Sequence, residues 1–419
     1  MSAVAGVVEH LFRHSAGRIT ATLARALGPA RLDLAEEAVA DALVQALHVW
    51  PHSGAPANPQ GWLFRTARNR AMDLLRREDT LRIKLPALVE LEAVAEPRTG
   101  DDELALMLLC CHPELPMTSR VALTLRTVGG LGVNEIAAAV LTQPATVAQR
   151  LARAKRWLRA RTDPLELPGP DALESRVDSV LAVLYLLFNE GYDATTGEVA
   201  VRGELCGEAI RLGRLLLADR RTDTAAARAL LALMLLQASR LPARVDANGE
   251  VLLFAEQDRN CWDRGLIGEG TQTFAAACTG AEMSSYHVEA AIALCHAATQ
   301  VPAETNWPRI LALYDQLLQL RDSPVIRLNR AIALAMVRTP ADGIVELARL
   351  EAHPQLAAYT PLPATLGALW LRAGEPARAA EYYQRALSMP AAEPQRRFLR
   401  RRLAECRSPN HPAVTSTPS

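Results

Sequence analysis

An all-α fold is predicted for this 419-residue chain by three observations. Alanine and leucine dominate while aromatic residues make up only 5%, and the β-branched clusters that favour strands are few. Apolar residues recur with a helical period along most of the chain. Half of the residues are hydrophobic, enough for two or three packed domains, each with its own core.

The first helix is expected from about Val7 to Leu27 and the second from about Leu34 to Val49. In the second, Leu34, Val39, Leu43 and Leu47 form an apolar stripe opposite Glu37 and Asp41. Trp50 to Gln60 contains three prolines and a glycine and reads as a loop, and Asn58-Pro59 opens a third helix that runs through Arg77. Arg82 to Gly100 reads as a linker. Helix resumes from Asp102 to about Val128, stops at Gly129-Gly130, and restarts at Val133 to Leu141 and at Ala145 to Arg161. Thr142-Gln143-Pro144 is a tight break, with the proline allowed only in the first turn of the next helix. After a second proline-rich linker, Thr162 to Pro170, the chain is helix upon helix. RAIALAMVRTPADGIVELARL from Arg330 can be laid over TLGALWLRAGEPARAAEYYQRAL from Thr365, with Pro340 on Pro376. Their spacing of 36 (376 minus 340) is close to the ~34 residues of a tetratricopeptide helix pair, so stacked helix hairpins are expected in the C-terminal half.

The formal net charge of zero hides an asymmetry. Residues through Arg161 carry 20 basic and 16 acidic side chains, and the remainder carries 26 and 30. A net +4 half suits a polyanion and a net −4 half does not. Seven scattered cysteines without a C-x-x-C pair argue against a disulfide framework and a zinc site, and His287 and His296, nine apart, fall on different helix faces. No metal or cofactor is expected. MSAVAGVVEHLFRHSAG lacks a basic region leading into an apolar core. The longest apolar runs, near Val180 to Phe188 and Ala229 to Leu236, are shorter than the ~20 residues of a membrane span, so a cytoplasmic chain with no membrane association is expected. With no G-x-x-x-x-G-K-[ST] and no G-x-S-x-G, no catalytic residues are assigned and the chain is not expected to be an enzyme.

Two segments carry the chemistry. In GVNEIAAAVLTQPATVAQRLARAKRWLRAR, Ile136, Ala137 and Val140 face inward on one helix, as do Val147, Leu151, Ala154 and Leu158 on the next. Thr146, Gln149, Arg150, Arg153 and Arg156 are left outward, and Arg150 to Arg161 holds six basic residues and no acid. This is a helix-turn-helix whose second helix can place polar side chains on base edges and arginines on phosphates. The other reading is a solvated basic helix in a bundle. In GWLFRTARNRAMDLLRR, Arg65, Arg68, Arg70, Arg76 and Arg77 interleave with Leu63, Phe64, Ala67, Met72 and Leu75. Trp62 stands beside the preceding loop, where its ring can stack on an unpaired base or serve in the core. Asp73 lies one turn from Arg70, Arg76 and Arg77 and is expected in a structural ion pair.

With LAEEAVADALVQAL (Leu34 to Leu47), these segments make the chain resemble sigma factors of the extracytoplasmic-function group of the sigma-70 family, over roughly Val7 to Arg161. The resemblance implies region 2 at 7–80, a linker at 81–101 and a region 4 helix-turn-helix at 102–161. It implies core RNA polymerase as partner, through the coiled coil of its largest catalytic subunit and its flap, with Asp33, Glu36, Asp41 and Gln45 on the coiled-coil side. Trp50, Asn58, Trp62, Arg65, Arg68 and Asn69 would capture and melt the −10 element of promoter DNA, where flipping a base costs a few kcal/mol. Thr146, Gln149, Arg150, Arg153 and Arg156 would read the −35 element.

Common members of that group end soon after the second DNA-binding domain, whereas this chain continues for about 250 residues. LYLLFNEGY (Leu184 to Tyr192) and RGELCGEAIRLGRLL (Arg202 to Leu216) are similar to the subgroup with a long tetratricopeptide-like extension, expected here at 171–406 before a disordered tail at 407–419. In that subgroup the extension regulates activity, which implies a regulatory protein or ligand as partner, with Asn189, Glu190 and Tyr192 as contact residues. On residues alone, these three polar groups end an apolar helix, with Gly191 suited to a left-handed cap. DRNCWDRG (Asp258 to Gly265) can buttress the fold or line a groove. The alternative function is a helix-turn-helix transcriptional regulator with a helical sensor domain. It leaves the Trp50 loop and its basic helix without a role.

Overall fold

The computed structural model describes residues 3–77, 100–140, 142–161, 165–192, 201–246 and 249–407. Of the linker expected at Arg82 to Gly100, residues 82–99 lie outside them, as do residues 408–419 of the tail expected at 407–419. Among the described residues there are eighteen α-helices, five short 3-10 helices and one isolated antiparallel bridge, Val245 to Val251. The chain divides into two compact units, Met1–Leu187 with Arg214–Asp223, and Phe188–Gly213 with Thr224–Ser419.

In the first unit α1 (Ala3–Leu27), α2 (Leu32–Ser53) and α3 (Pro59–Arg77) pack around Ile19, Leu23, Leu43, Trp50, Leu63, Phe64 and Leu75. Leu34, Val39 and Leu43 are buried as expected, but Leu47 is 47% exposed. Ala46 and Trp50, three and seven residues beyond Leu43, continue the buried stripe in its place. The loop expected from Trp50 is therefore shorter. The helix carries Pro51 near its end and stops at Gly54, whose φ of 78° is the left-handed geometry of a terminating glycine and whose N–H donates to the Trp50 carbonyl at 2.9 Å. Asn58 then caps α3, accepting the Gly61 N–H at 2.8 Å, with Pro59 in the first turn.

The helical stretch expected from Asp102 to about Val128 is formed by two helices, α4 (Asp101–Cys110) and α5 (Met117–Thr127). Pro113 and Pro116 interrupt it, and the turn is tied by Leu115 N–H to the His112 carbonyl (2.9 Å) and Arg120 Nε to the Leu115 carbonyl (2.7 Å). α6 (Val133–Ala139) and α7 (Pro144–Arg159) form the helix-turn-helix. Ile136, Ala137, Val147, Leu151, Ala154 and Leu158 are buried, and Val140 is half-buried.

α8 (Pro170–Tyr192) and α9 (Gly203–Ala218) each contribute residues to both units. In the first unit Arg176 donates to the Leu108 carbonyl (3.2 Å) and Arg120 to Ser179 (3.1 Å). α8 continues through Tyr192, and Gly191 is absent from the positive-φ glycines, so the expected left-handed cap does not form there. Glycine is required for another reason: a Cβ at 191 would lie 2.8 to 2.9 Å from Leu205 Cβ, the Arg202 carbonyl oxygen and Cys206 N, where α9 begins.

The second unit continues as α10 (Ala225–Ala238), α11 (Arg264–Ala277), α12 (Ser285–Ala297), α13 (Trp307–Leu320), α14 (Pro324–Val337), α15 (Pro340–Ala348), α16 (Pro361–Arg372), α17 (Pro376–Leu387) and α18 (Glu393–Arg407). Successive helices share cores: Ile292, Ile310 and Ile326 in one, Leu328, Leu347 and Leu366 in the next, and Leu371, Tyr383 and Leu399 in the last. Pro340 and Pro376 both open the second helix of a pair, as the repeat in the sequence requires. The last helix returns to the Val245–Val251 hairpin. Arg401 pairs with Glu250 (2.5 Å) and Glu256 (3.1 Å), and Arg397 donates to the Gly249 carbonyl at 3.4 Å.

Candidate nucleic-acid interface

α7 presents two different faces. The apolar one is sealed against α5 and α6, and Gln149, Arg153 and Arg156 stand exposed on the other with Thr146 and Arg150 half-buried. Arg150, Arg153 and Arg156 make no ion pair or hydrogen bond with the described residues, so a row of cations keeps its full capacity for phosphates or base edges. This is the outward set expected from the sequence.

On α3, Arg65 and Asn69 are exposed, Arg68 is half-buried and reaches Asn69 Oδ1 at 3.3 Å, and Leu63, Phe64, Ala67, Ala71 and Leu75 are buried. Arg70 turns to Asp41 of α2 at 2.5 Å, and Asp73 pairs with Arg76 at 3.1 Å. Trp62 is half-buried and meets Trp50 edge to face, with ring centroids 5.4 Å apart. Trp50 itself is 1% exposed, inside α2. Its expected contact with DNA is corrected accordingly: it is a core residue supporting Trp62, and it is unavailable to an unpaired base.

The four α2 residues separate. Gln45 is exposed and Asp41 holds Arg70, whereas Asp33 and Glu36 face the helix-turn-helix. Lys155 Nζ lies 2.7 Å from Asp33 and 2.6 Å from Glu36, and Arg159 also binds Asp33. Thr127 donates to Glu36 at 2.8 Å, and Arg126 stands 4.0 Å from it. Glu36 is 8% exposed. Burial works against the charges of Asp33 and Lys155, but their partners outweigh it: Lys155 and Arg159 hold the Asp33 carboxyl below its usual range, and Glu36 and Asp33 hold the Lys155 ammonium above its own. α1 and α4 also meet, through Arg25 to Asp102 (2.8 Å) and Arg18 to Glu103 (3.7 Å), with both carboxylates buried. These pairings join residues up to 126 apart in sequence, and nothing in their local pattern announced them.

In the second unit the two other clusters read in the sequence approach one core. Asp258 and Asp263 cap the turns on either side of Trp262, accepting from Asn260 (2.9 Å) and Leu266 (3.0 Å). Arg259 is buried and clips the end of α12 through the His296 (3.2 Å) and Thr299 (2.7 Å) carbonyls. DRNCWDRG is therefore a buttress. Arg240 lies 4.0 Å over the Phe254 ring and Arg244 lies 3.9 Å over Tyr192, which also stacks on Phe188. Burial, with Arg240 and Arg259 nearby, pushes the His296 imidazole down to about 3. His287 is occupied by Ser284 (2.9 Å) and the Ala277 carbonyl (3.2 Å). Among the described residues no group of His, Cys, Asp and Glu is placed to hold a metal, and no helix is long and apolar enough to cross a membrane.

The fold and this surface define a helical DNA-binding transcription protein. Residues 11–80 match the family described as Sigma-70 region 2, residues 105–158 match Sigma-70, region 4, and residues 176–278 match a family of unknown function (DUF6596). The chain is also 37% identical to a protein of Rhizobium meliloti (strain 1021), described as uncharacterized, over 89% of its own length and 90% of that protein's. The chain belongs to the sigma-70 family of RNA polymerase sigma factors, and its helical C-terminal region fits the extracytoplasmic-function subgroup that carries an extension.

Proposed function

We propose that this sigma factor directs core RNA polymerase to specific promoters from the cytoplasm, docking through α2, opening the −10 element with α3 and its preceding turn, and reading the −35 element with α7. The observation that carries this reading is the row of cations on α7, Arg150, Arg153 and Arg156, unpaired among the described residues and opposite a fully buried apolar stripe. Gln149 and Thr146 flank them at the N-terminal half of the helix, where base edges are met. Asn58, Trp62, Arg65, Arg68 and Asn69 form the −10 set, with Trp62 propped by Trp50. Asp33, Glu36, Asp41 and Gln45 form the docking set for the largest subunit's coiled coil, and region 4 meets the flap. The extension from 171 to 406 regulates this activity through a protein or ligand met at Asn189, Glu190 and Tyr192. These three stand half-buried together at the end of α8, with Arg244 over the Tyr192 ring.

Run-off transcription with purified core polymerase on the promoter upstream of the chain's own gene, with permanganate probing, tests the assignment. A start site and a melted bubble that require the protein are expected. Binding to DNA without core and without melting would transfer the chain to operator-binding regulators. Arg150→Ala and Arg153→Ala are each expected to weaken −35 binding by about 1 to 3 kcal/mol if they read bases, or to flatten its salt dependence if they touch phosphates.

A further inference from the structure

The chain contains 46 basic residues of which only two, Lys84 and Lys155, are lysines. One of the two sits in the arginine-rich α7, facing away from the unpaired arginine row and between two carboxylates of α2. A compact ammonium with three donors satisfies two carboxylates at 2.6 and 2.7 Å, which a planar guanidinium fork does not match. Arg159, one turn on, repeats the contact to Asp33, and Thr127 and Arg126 complete the enclosure of Glu36. At Val128, the residue after Thr127, α1 approaches the end of α5 so closely that a Cβ at Gly17 would lie 2.2 Å from the Val128 carbonyl oxygen.

We propose that Lys155 and Arg159 form an intramolecular latch that closes the helix-turn-helix over Asp33 and Glu36 and so occludes the polymerase-docking face of α2 until the two regions separate. This inference rests on the docking role proposed above for α2. It assigns α7 a second task, performed by side chains other than those that face DNA. The closed form is specific because each carboxylate is matched, and reversible because both charges regain water on opening, so the pairs add little net stability. Core polymerase is then a competitor for Asp33 and Glu36. Whatever favours separation raises the fraction of chain able to dock.

Two variants open the latch by different means without touching the docking or DNA-reading sets. Lys155→Ala with Arg159→Ala removes the cations. Gly17→Ala wedges α1 from Val128 while improving the helix propensity of α1 itself. The converse treatment closes it: a water-soluble carbodiimide joins an ammonium and a carboxylate in contact into an amide, and Lys155 is the only lysine among the described residues. The affinity of the full chain for purified core polymerase is measured for each, with folding checked by thermal melting and the 155-to-33 or 155-to-36 cross-link mapped by mass spectrometry. Both variants are expected to bind core at least several-fold more tightly than the parent, and the cross-linked fraction is expected to lose binding. Parent and variants binding core equally, variants binding more weakly, or a cross-linked chain that still docks would overturn the latch while leaving the docking role intact. Absence of core binding in every form would overturn the docking role and this inference together.

Discussion

At the scale of single residues, the side chains near the interface divide by what they already hold. Asn58 spends its carboxamide oxygen on the Gly61 N–H, so Asn58→Ala is expected to cost about 0.5 to 2 kcal/mol of stability, read by urea unfolding. Trp50→Ala removes a fully buried ring and its edge contact with Trp62, and is expected to cost about 3 to 5 kcal/mol, whereas Arg65→Ala, at an exposed position, should leave the melting temperature nearly unchanged. His296 gives the second unit a pH dependence. Its folded value of about 3 lies below the ordinary imidazole value of 6.5, so the unfolded chain takes up the proton first as pH falls. Stability from neutral His296 is complete above 6.5 and lost progressively toward 3. Arg240 and Arg259 face the ring, together with Phe254 and Trp307. His296→Phe is therefore expected to shrink the difference in unfolding free energy between pH 7.5 and pH 5.

At the scale of elements, close helix crossings decide which substitutions a helix tolerates. Gly343 lies within α15, where alanine has the better propensity by about 1 kcal/mol. A Cβ there would meet Ala335 Cβ at 2.6 Å and the Ala331 carbonyl oxygen at 2.9 Å, both on α14. Backbone must move to make room, so Gly343→Ala is expected to lower the melting temperature of the second unit despite the propensity gain. Both the repeat and the helix-turn-helix were legible in the sequence because their information is local: apolar positions at helical spacing, and prolines that can only begin a helix. The ends of α2 and the break between α4 and α5 were less legible. Pro51 is tolerated near the end of a helix that Gly54 terminates, and the Pro113–Pro116 turn is held by Arg120 from the following helix.

At the scale of the whole molecule, a change of sequence character near residue 162 suggested a boundary, while the compact units divide the chain inside α8 and include Arg214–Asp223 with the first. A fragment ending at Arg161 loses Arg176 from the Leu108 carbonyl and Ser179 from Arg120. It is expected to melt at a lower temperature than a longer fragment that retains α8, as measured by circular dichroism. In the second unit, Arg401→Ala severs the ties to Glu250 and Glu256 that bring α18 to the Val245–Val251 hairpin. Faster proteolysis near residue 393 should report it.

The sequence by itself determined the helical class, the position of the helix-turn-helix, the outward arginines of α7 and the family, since each is written in the order and spacing of neighbouring residues. Tertiary structure alone decided that Trp50 is buried, that Arg70 belongs to Asp41, and that Lys155 lies between Asp33 and Glu36. Those outcomes join residues between 12 (62 minus 50) and 122 (155 minus 33) positions apart. A charged or aromatic side chain reads the same in sequence whether it faces solvent or a distant partner, and only packing removes the water that distinguishes the two.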